Sequence, residues 1–429
     1  MTTEIEIQTA GPIEGSIRPP GSKSLTNRAL VCAALASGES LLAGALDSED
    51  TRVMVEALRQ LGVAVERDVK ANTIRVCGCN GRLPANEANL FAANSGTTIR
   101  FLTAMAALGR GRFRLDGSPR MRERPIEDLL DALRQLGAVA YCELATGCPP
   151  VIVEADGLRG GRSEIAGNVS SQFLSALLMA APYAENPVEF AILGDLVSQP
   201  YVAMTAAVMA AFGVSVQTTP GGFIVPVGAG YRGCRYEIEP DASAASYFFA
   251  AAAITGGKVT VEGLSRHSLQ GDVAFCRCLE QMGCTVQYGD NEITMTAGKL
   301  RGISVDMNKI SDTVQTLSAV ALFADGPTTV SGVANMRYKE TDRIRALANE
   351  LGKVGAAVSE LPDGLQITPG RLKGARIETY NDHRMAMSMA LVGLAVPGVI
   401  ILNPQCTAKT YPQFFADLAR LSRKTERKG

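Results

Sequence analysis

Small hydroxyl residues, lysines and arginines recur where otherwise apolar helical segments begin. Six such starts can be read: Ser22-Lys-Ser-Leu-Thr-Asn-Arg28, Asn94-Ser-Gly-Thr-Thr-Ile-Arg100, Asn168-Val-Ser-Ser-Gln172, Asp241-Ala-Ser-Ala-Ala-Ser246, Ser311-Asp-Thr-Val-Gln-Thr316 and Asn381-Asp-His-Arg384. A helix N-terminus carries unpaired N–H groups and partial positive charge, so it is a ready anion site. Capping alone explains Ser, Thr, Asn or Asp at any one start. It does not explain Lys23, Arg28, Arg100 and Arg384, because a cation is disfavoured at the positive end of a helix. Each argues for a bound anion or a paired acid. Two loops add charge. Asp116–Pro125 has three arginines in five residues, and Asn335–Arg343 carries Arg337, Lys339, Glu340, Asp342 and Arg343. Either loop alone also reads as a solvated face. Lys409 stands in a turn bracketed by Pro404 and Pro412, whereas Ser422–Gly429 reads as a frayed tail. The expected chemistry is cationic and hydroxyl-rich, with Asp312 and Glu340 as acid–base candidates.

Other chemistries find little support. Gly21-Ser-Lys-Ser lacks the Gly directly before Lys that a P-loop needs, and Pro19-Pro20 stiffen its approach. No G-x-G-x-x-G follows a strand. His383 beside Asp382 has no nucleophile-elbow serine. The only histidines are His267 and His383, which argues against a histidine-rich metal centre; His267 reads as a surface or capping residue. The ten cysteines are scattered and read as free thiols of a reducing cytoplasm. The formal net charge of −1 gives no global field for nucleic acid or an anionic membrane, so bound anions need a local cluster. The N-terminus does not read as a signal peptide, and no apolar run is long enough for a membrane span. With 46% hydrophobic and 20% charged residues, the chain reads as globular and cytoplasmic.

The elements that position these residues repeat. A helix end, a glycine and a β-like run recur as Leu58-Arg-Gln-Leu-Gly62, Leu133-Arg-Gln-Leu-Gly137, Met209-Ala-Ala-Phe-Gly213, Leu279-Glu-Gln-Met-Gly283 and Leu351-Gly-Lys-Val-Gly355. The period is about seventy residues, so six units fit the length. Each glycine reads as a left-handed helix C-cap. A second, buried helix precedes each of these, giving helix, strand, helix, strand and at least one further short strand. Tyr411–Leu421 is the sixth helix, and Ile5-Glu-Ile7 is available as its missing strand. Ser48 caps the first amphipathic helix, with Val53, Met54, Ala57, Leu58 and Leu61 as its apolar face. Six α/β units are expected to form two domains of three. One would be residues 1–21 with 240–429, the other 22–239, with crossings at Pro19-Pro20-Gly21 and Glu239-Pro240.

Taken together, Pro20-Gly-Ser-Lys-Ser, Asn94-Ser-Gly-Thr, Arg120–Pro125, Ser170-Ser-Gln172, Gly194-Asp-Leu-Val-Ser-Gln-Pro-Tyr201, Lys339-Glu-Thr-Asp-Arg343, Asn381-Asp-His-Arg384 and Cys406-Thr-Ala-Lys409 resemble the 5-enolpyruvylshikimate-3-phosphate synthase family over nearly the whole chain. The resemblance implies the two-domain enolpyruvyl transferase fold, an inside-out α/β barrel with three repeated units per domain about a pseudo-threefold axis, and an active site between the domains. It implies transfer of the enolpyruvyl group of phosphoenolpyruvate to the 5-hydroxyl of shikimate 3-phosphate. The route is addition then elimination through a tetrahedral intermediate, on the way to chorismate and the aromatic amino acids. Neither metal nor cofactor is implied, and a monomer is expected.

By resemblance, shikimate 3-phosphate is held by Lys23, Ser24, Arg28, Ser170, Ser171, Gln172, Ser198, Tyr201, Asp312, Asn335 and Lys339. Phosphoenolpyruvate is held by Lys23, Asn94, Gly96, Arg124, Gln172, Arg343, Arg384 and Lys409. Asp312 takes the 5-hydroxyl proton, Glu340 exchanges the methylene proton, and Lys23 stabilises charge near the leaving phosphate. The inhibitor glyphosate occupies the phosphoenolpyruvate site. Where Asn-Ala-Gly-Thr-Ala-Met-Arg-Pro is frequent in the family, this chain has Asn94-Ser-Gly-Thr-Thr-Ile-Arg-Phe101. Phe101 for a helix-starting proline is expected to weaken glyphosate inhibition. The related transferase acting on UDP-N-acetylglucosamine uses a cysteine in the loop that here reads Asp116–Pro125, where there is none. A non-catalytic anion-binding relative would lack Asp312, Glu340 or Lys409, and all three are present.

Overall fold

A computed structural model describes residues 3–168 and 170–423. The tail from Lys424 onward, part of the segment read as frayed, lies outside them. Contacts divide the chain into two compact units: Gly21–Ile238, and the residues up to Pro20 together with those from Glu239 onward. Each has its own apolar core.

The helices of the continuous unit are α1 (Lys23–Leu35), α2 (Glu49–Gln60), α3 (Gly96–Ala106), α4 (Glu127–Gln135), α5 (Ser171–Ala180) and α6 (Gln199–Ala211). Those of the other unit are α7 (Ala242–Thr255), α8 (Phe275–Met282), α9 (Val314–Ala321), α10 (Arg343–Lys353), α11 (His383–Gly393) and α12 (Phe414–Ser422). The module around α3 shows the plan. Strand Glu87–Phe91 leads through α3 to the parallel strand Arg110–Asp116; α4 then leads to the hairpin of Val139–Cys142 and Val151–Asp156. Val151–Asp156 inserts antiparallel beside Arg110–Asp116. Parallel neighbours need a crossover, and the buried helix supplies it. The same four-strand order recurs around α5 and α9.

Modules at the ends of each unit borrow strands. Arg235–Glu237, from the far end of the continuous unit, opens the first sheet by pairing parallel with Glu39–Ala43. Glu14–Ile17 does the same beside Lys258–Glu262. Glu4–Glu6 pairs antiparallel with Ile400–Leu402, Ile5 opposite Ile401, and so closes the sixth sheet. A complete four-stranded sheet has two strands beyond the helix–strand–helix–strand phrase, in line with the expectation of at least one further short strand.

The first helix of each module is buried almost all round, and α7, α9 and α11 pack against one another. Hydroxyls one repeat apart join them: Ser246 and Thr316 lie 3.0 Å apart, and Thr316 and Ser388 3.5 Å. Such pairs satisfy polar atoms inside an apolar core at little cost. The second helices are amphipathic. Gly62, Gly137, Gly213, Gly283 and Gly355 all have φ between 85° and 110°, the left-handed conformation that ends a helix. Ser48 caps α2 with a reciprocal Thr51 bond. Its buried face is shifted from expectation: Val55 is buried, whereas Val53 is only half-buried.

Candidate active site

The expected helix starts form for local reasons. The side chains of Ser22, Ser95, Ser170, Asp241 and Asp382 accept hydrogen bonds from backbone N–H groups in the first turns of α1, α3, α5, α7 and α11. α9 differs: a 3₁₀ turn, Asn308–Thr313, precedes it, and Asp312 lies in that turn. With caps supplied by neutral or acidic residues, the cations beside them need other partners.

In the continuous unit, Lys23 lies 3.3 Å from Asp50, which reaches over from the start of α2. Arg28 is 1% exposed. Its Nε donates to Thr205 at 2.7 Å and its NH2 to Ser175 at 3.2 Å; the Ser24 and Tyr201 carbonyls accept the other bonds, at 3.0 and 3.2 Å. No carboxylate among the described residues lies within ion-pair distance of it. Burial pushes its pKa down to about 10, so it keeps its charge at neutral pH. A buried cation without an acid partner is costly, and bound anion is the natural compensation.

Arg100 donates to Gln172 Oε1 at 2.7 Å and lies over the Phe173 ring. Arg124, 3% exposed, donates through NH1 to the main-chain and side-chain oxygens of Asn94, at 3.2 and 3.3 Å. Gly96 makes that approach possible: a Cβ there would lie 2.6 Å from Arg124 NH2. Of the other arginines of the loop, Arg120 pairs with Glu123 and Arg122 with Asp116. Ser170 caps α5, Ser171 is buried at its first position, and Ser198 is buried in a left-handed conformation before α6.

The second unit gathers opposite charges. Asp312 Oδ1 accepts from Lys339 Nζ at 3.2 Å and from Arg343 NH1 at 3.3 Å. Arg384 reaches Asp312 twice, NH2 to Oδ2 at 2.8 Å and NH1 to the main-chain oxygen at 3.0 Å. Arg343 is the hub. Besides Asp312 it donates to Glu340 Oε2 at 2.7 Å and, through Nε, to Asp382 at 2.7 Å. Burial alone would lower its pKa, but Asp382, Glu340 and Asp312 outweigh that and raise it. Lys339 is shifted the other way: burial lowers its pKa, and Asp312 offsets part of the change. Lys409, 6% exposed and at the end of a 3₁₀ turn, stands 3.9 Å from Glu340 Oε1. Glu340 thus faces Arg343 and Lys409, while Lys339 bonds to Asp312. Asn335 is half-buried, with its Oδ1 accepting no hydrogen bond among the described residues. Arg337 braces the loop on Asp342 and Glu360 rather than facing this cluster.

Asp50, Thr205 and Ser175 as partners, and Asp382 as an anchor for Arg343, are not evident from the sequence. Asp382 was visible as a cap; the others sit on neighbouring helices, where only the fold reveals them. Phe101 does not start a helix, contrary to expectation. With Ser95 as cap, it is the sixth residue of α3, not a helix start, so its N–H belongs to the i→i−4 ladder. Its ring is buried beneath Arg28, 5.3 Å from the guanidinium carbon. A proline's fit at a helix start therefore does not apply here.

Repeated modules with buried arginines at helix starts, and carboxylates held among lysine and arginine, define a protein built to handle small, multiply charged anions. The model of the family EPSP synthase (3-phosphoshikimate 1-carboxyvinyltransferase) matches residues 7–418, and the chain belongs to that family. A 3-phosphoshikimate 1-carboxyvinyltransferase of Nostoc punctiforme is 50% identical over 406 residues, 94% of this chain and 95% of the relative. The chloroplastic enzyme of that name from Arabidopsis thaliana is 48% identical over 442 residues, 98% of this chain and 85% of the relative. A solved structure of EPSP synthase from Acinetobacter baumannii aligns with a TM-score of 0.81 at 27% identity, covering 98% of each chain.

Proposed function

We propose that the two clusters described above bind the substrates of the family's reaction and carry its proton transfers. The activity is that of a 3-phosphoshikimate 1-carboxyvinyltransferase of the shikimate pathway, which leads to the aromatic amino acids. The enolpyruvyl group of phosphoenolpyruvate passes to the 5-hydroxyl of shikimate 3-phosphate, and phosphate leaves. In the addition, the 5-oxygen bonds to C2 of phosphoenolpyruvate, its proton goes to Asp312, and the methylene carbon gains a proton from Glu340. In the elimination, the C2–O bond to phosphate breaks, the phosphate leaves with the proton that Asp312 had taken up, and Glu340 recovers a proton from the methyl carbon to restore the double bond. Lys23 steadies the charge of the leaving phosphate. Both substrates carry phosphate and carboxylate, which planar guanidinium groups bind through two oxygens at once.

For shikimate 3-phosphate we assign Lys23, Ser24, Arg28, Ser170, Ser171, Gln172, Ser198, Tyr201, Asn335 and Lys339, with Asp312 at the reacting hydroxyl. For phosphoenolpyruvate we assign Lys23, Asn94, Gly96, Arg124, Gln172, Arg343, Arg384 and Lys409; glyphosate would compete there. The carrying observation is the Arg343 hub, which holds Asp312 and Glu340, the two proposed proton-transfer groups, by bonds of 3.3 and 2.7 Å. We further propose a cytoplasmic monomer; ten free cysteines fit a reducing compartment. Among the described residues no helix is long and apolar enough to cross a membrane. The test is phosphate release from phosphoenolpyruvate with shikimate 3-phosphate as acceptor. Release that also requires Asp312 and Glu340 supports the assignment, and full release by an Asp312→Asn variant would remove it.

A further inference from the structure

One buried carboxylate has no part in the reaction as assigned. Asp272 lies in a 3₁₀ turn, Gly271–Ala274, just before α8, and is 4% exposed. Its Oδ2 accepts a hydrogen bond from the Ser243 hydroxyl, in the first turn of α7. Ser243 Oγ in turn accepts from Arg384 NH2 at 3.4 Å, and the same nitrogen donates to Asp312 Oδ2 at 2.8 Å. The turn is fixed to α7 by Gln270: Oε1 accepts from the Ala242 N–H at 3.0 Å, and Nε2 donates to the Pro240 carbonyl at 2.7 Å. The first module has a counterpart, for Asp50 at the start of its second helix reaches Lys23 on its first.

We infer that Asp272 is a positioning residue: through the Ser243 hydroxyl it orients the Arg384 guanidinium against Asp312 and toward phosphoenolpyruvate. A serine hydroxyl has one proton. While Asp272 accepts it, the serine lone pairs must face the arginine. If Asp272 is replaced, the hydroxyl can turn, and Arg384 loses one of the acceptors that set its orientation. The buried carboxylate is held against its own electrostatic preference: burial, then the nearby Asp312, push its pKa up to about 6, opposed by the Ser243 bond and Arg384. A group serving stability alone would gain nothing from that arrangement.

The inference rests on the assignment of Arg384 to phosphoenolpyruvate. The test compares Asp272→Asn, Ser243→Ala and the double variant in steady-state kinetics. Each single change is expected to raise the KM for phosphoenolpyruvate about tenfold, the scale of one hydrogen bond to a charged group. The KM for shikimate 3-phosphate and kcat should stay within about threefold, with no fall in melting temperature. The double variant should be no worse than Ser243→Ala, because the carboxylate acts through that hydroxyl. Additive losses, or a parallel rise in both KM values with a lower melting temperature, would overturn the relay. A crystal structure of the Asp272→Asn variant reads it without turnover: Arg384 should draw away from its place on Asp312, and an unmoved guanidinium would contradict the inference. Should the unsubstituted protein release no phosphate, the functional assignment fails, and that crystal structure alone decides the relay.

Discussion

Gly96→Ala isolates one proposed contact with phosphoenolpyruvate. The added Cβ would lie 2.6 Å from Arg124 NH2 and 3.2 Å from Arg100 NH1, whereas ordinary contact starts at 3.4 Å. The Arg124 end must therefore retreat by about 0.8 Å, the difference between 2.6 and 3.4 Å. It is the far end of a flexible side chain, so folding should tolerate the shift. Alanine also favours a helix by up to about 1 kcal/mol over glycine, so the melting temperature should hold or rise. The cost falls on ligand geometry. Arg124 is anchored through NH1 to Asn94, and a displaced guanidinium loses one of two parallel bonds to a carboxylate or phosphate. A hydrogen bond to a charged group contributes about 1.5–3 kcal/mol, equivalent to roughly a 10- to 150-fold rise in KM. Initial rates with phosphoenolpyruvate varied at saturating shikimate 3-phosphate would measure it. The KM for phosphoenolpyruvate should rise by that factor, with much less change in that for shikimate 3-phosphate. If instead only the shikimate 3-phosphate KM rises, Arg124 does not hold phosphoenolpyruvate and the reasoning fails.

Glu340→Gln should keep both ligands but lower turnover at least about 100-fold, the low end for a general acid–base group; near-normal turnover would remove Glu340 from the proton transfer. Phe101→Pro should destabilise the protein by about 3 kcal/mol, since proline in a helix interior loses a bond and clashes with the preceding turn. A denaturant midpoint matching the unsubstituted protein would show that α3 accommodates proline there. Asp272 gives a pH signature. Its folded-state pKa of about 6 exceeds the ordinary 3.8, so the native state holds the proton longer. Its contribution to stability is greatest at low pH and is lost as pH rises through about 6. Asp272→Asn, which carries no charge at either pH, should thus gain on the unsubstituted protein between pH 4 and pH 7. Urea melts at both values check this, and a constant difference would contradict it.

The modular plan was legible because its signals are local. Gly62, Gly137, Gly213, Gly283 and Gly355 mark left-handed helix ends that few other residues adopt readily, and a seventy-residue spacing survives without knowledge of packing. Of the borrowed strands, the one at Ile5-Glu-Ile7 was legible, one position along from the observed Glu4–Glu6, but the one at the far end of the continuous unit was not. Arg235–Glu237 is three residues long and gains meaning only from Glu39–Ala43, almost two hundred positions away. At the candidate site, residue type identified the cations but not their partners. Lys23 could be read as facing an anion or an acid; pairing with Asp50 depends on how α2 follows α1. Arg120, Arg122 and Arg124 look alike in sequence, yet only Arg124 is buried, beside Asn94 and the bare Cα of Gly96. Phe101 looks like a helix start in the sequence, but the cap at Ser95, which sets the helix count, lies six residues upstream.

Acceptor-dependent phosphate release tests the proposed transferase activity most directly. Purified protein is given phosphoenolpyruvate with shikimate 3-phosphate, or with UDP-N-acetylglucosamine, and phosphate is followed continuously. Release with shikimate 3-phosphate should match formation of the enolpyruvyl ether one for one, with none from the sugar nucleotide. Release with UDP-N-acetylglucosamine alone, or with neither acceptor, would contradict it.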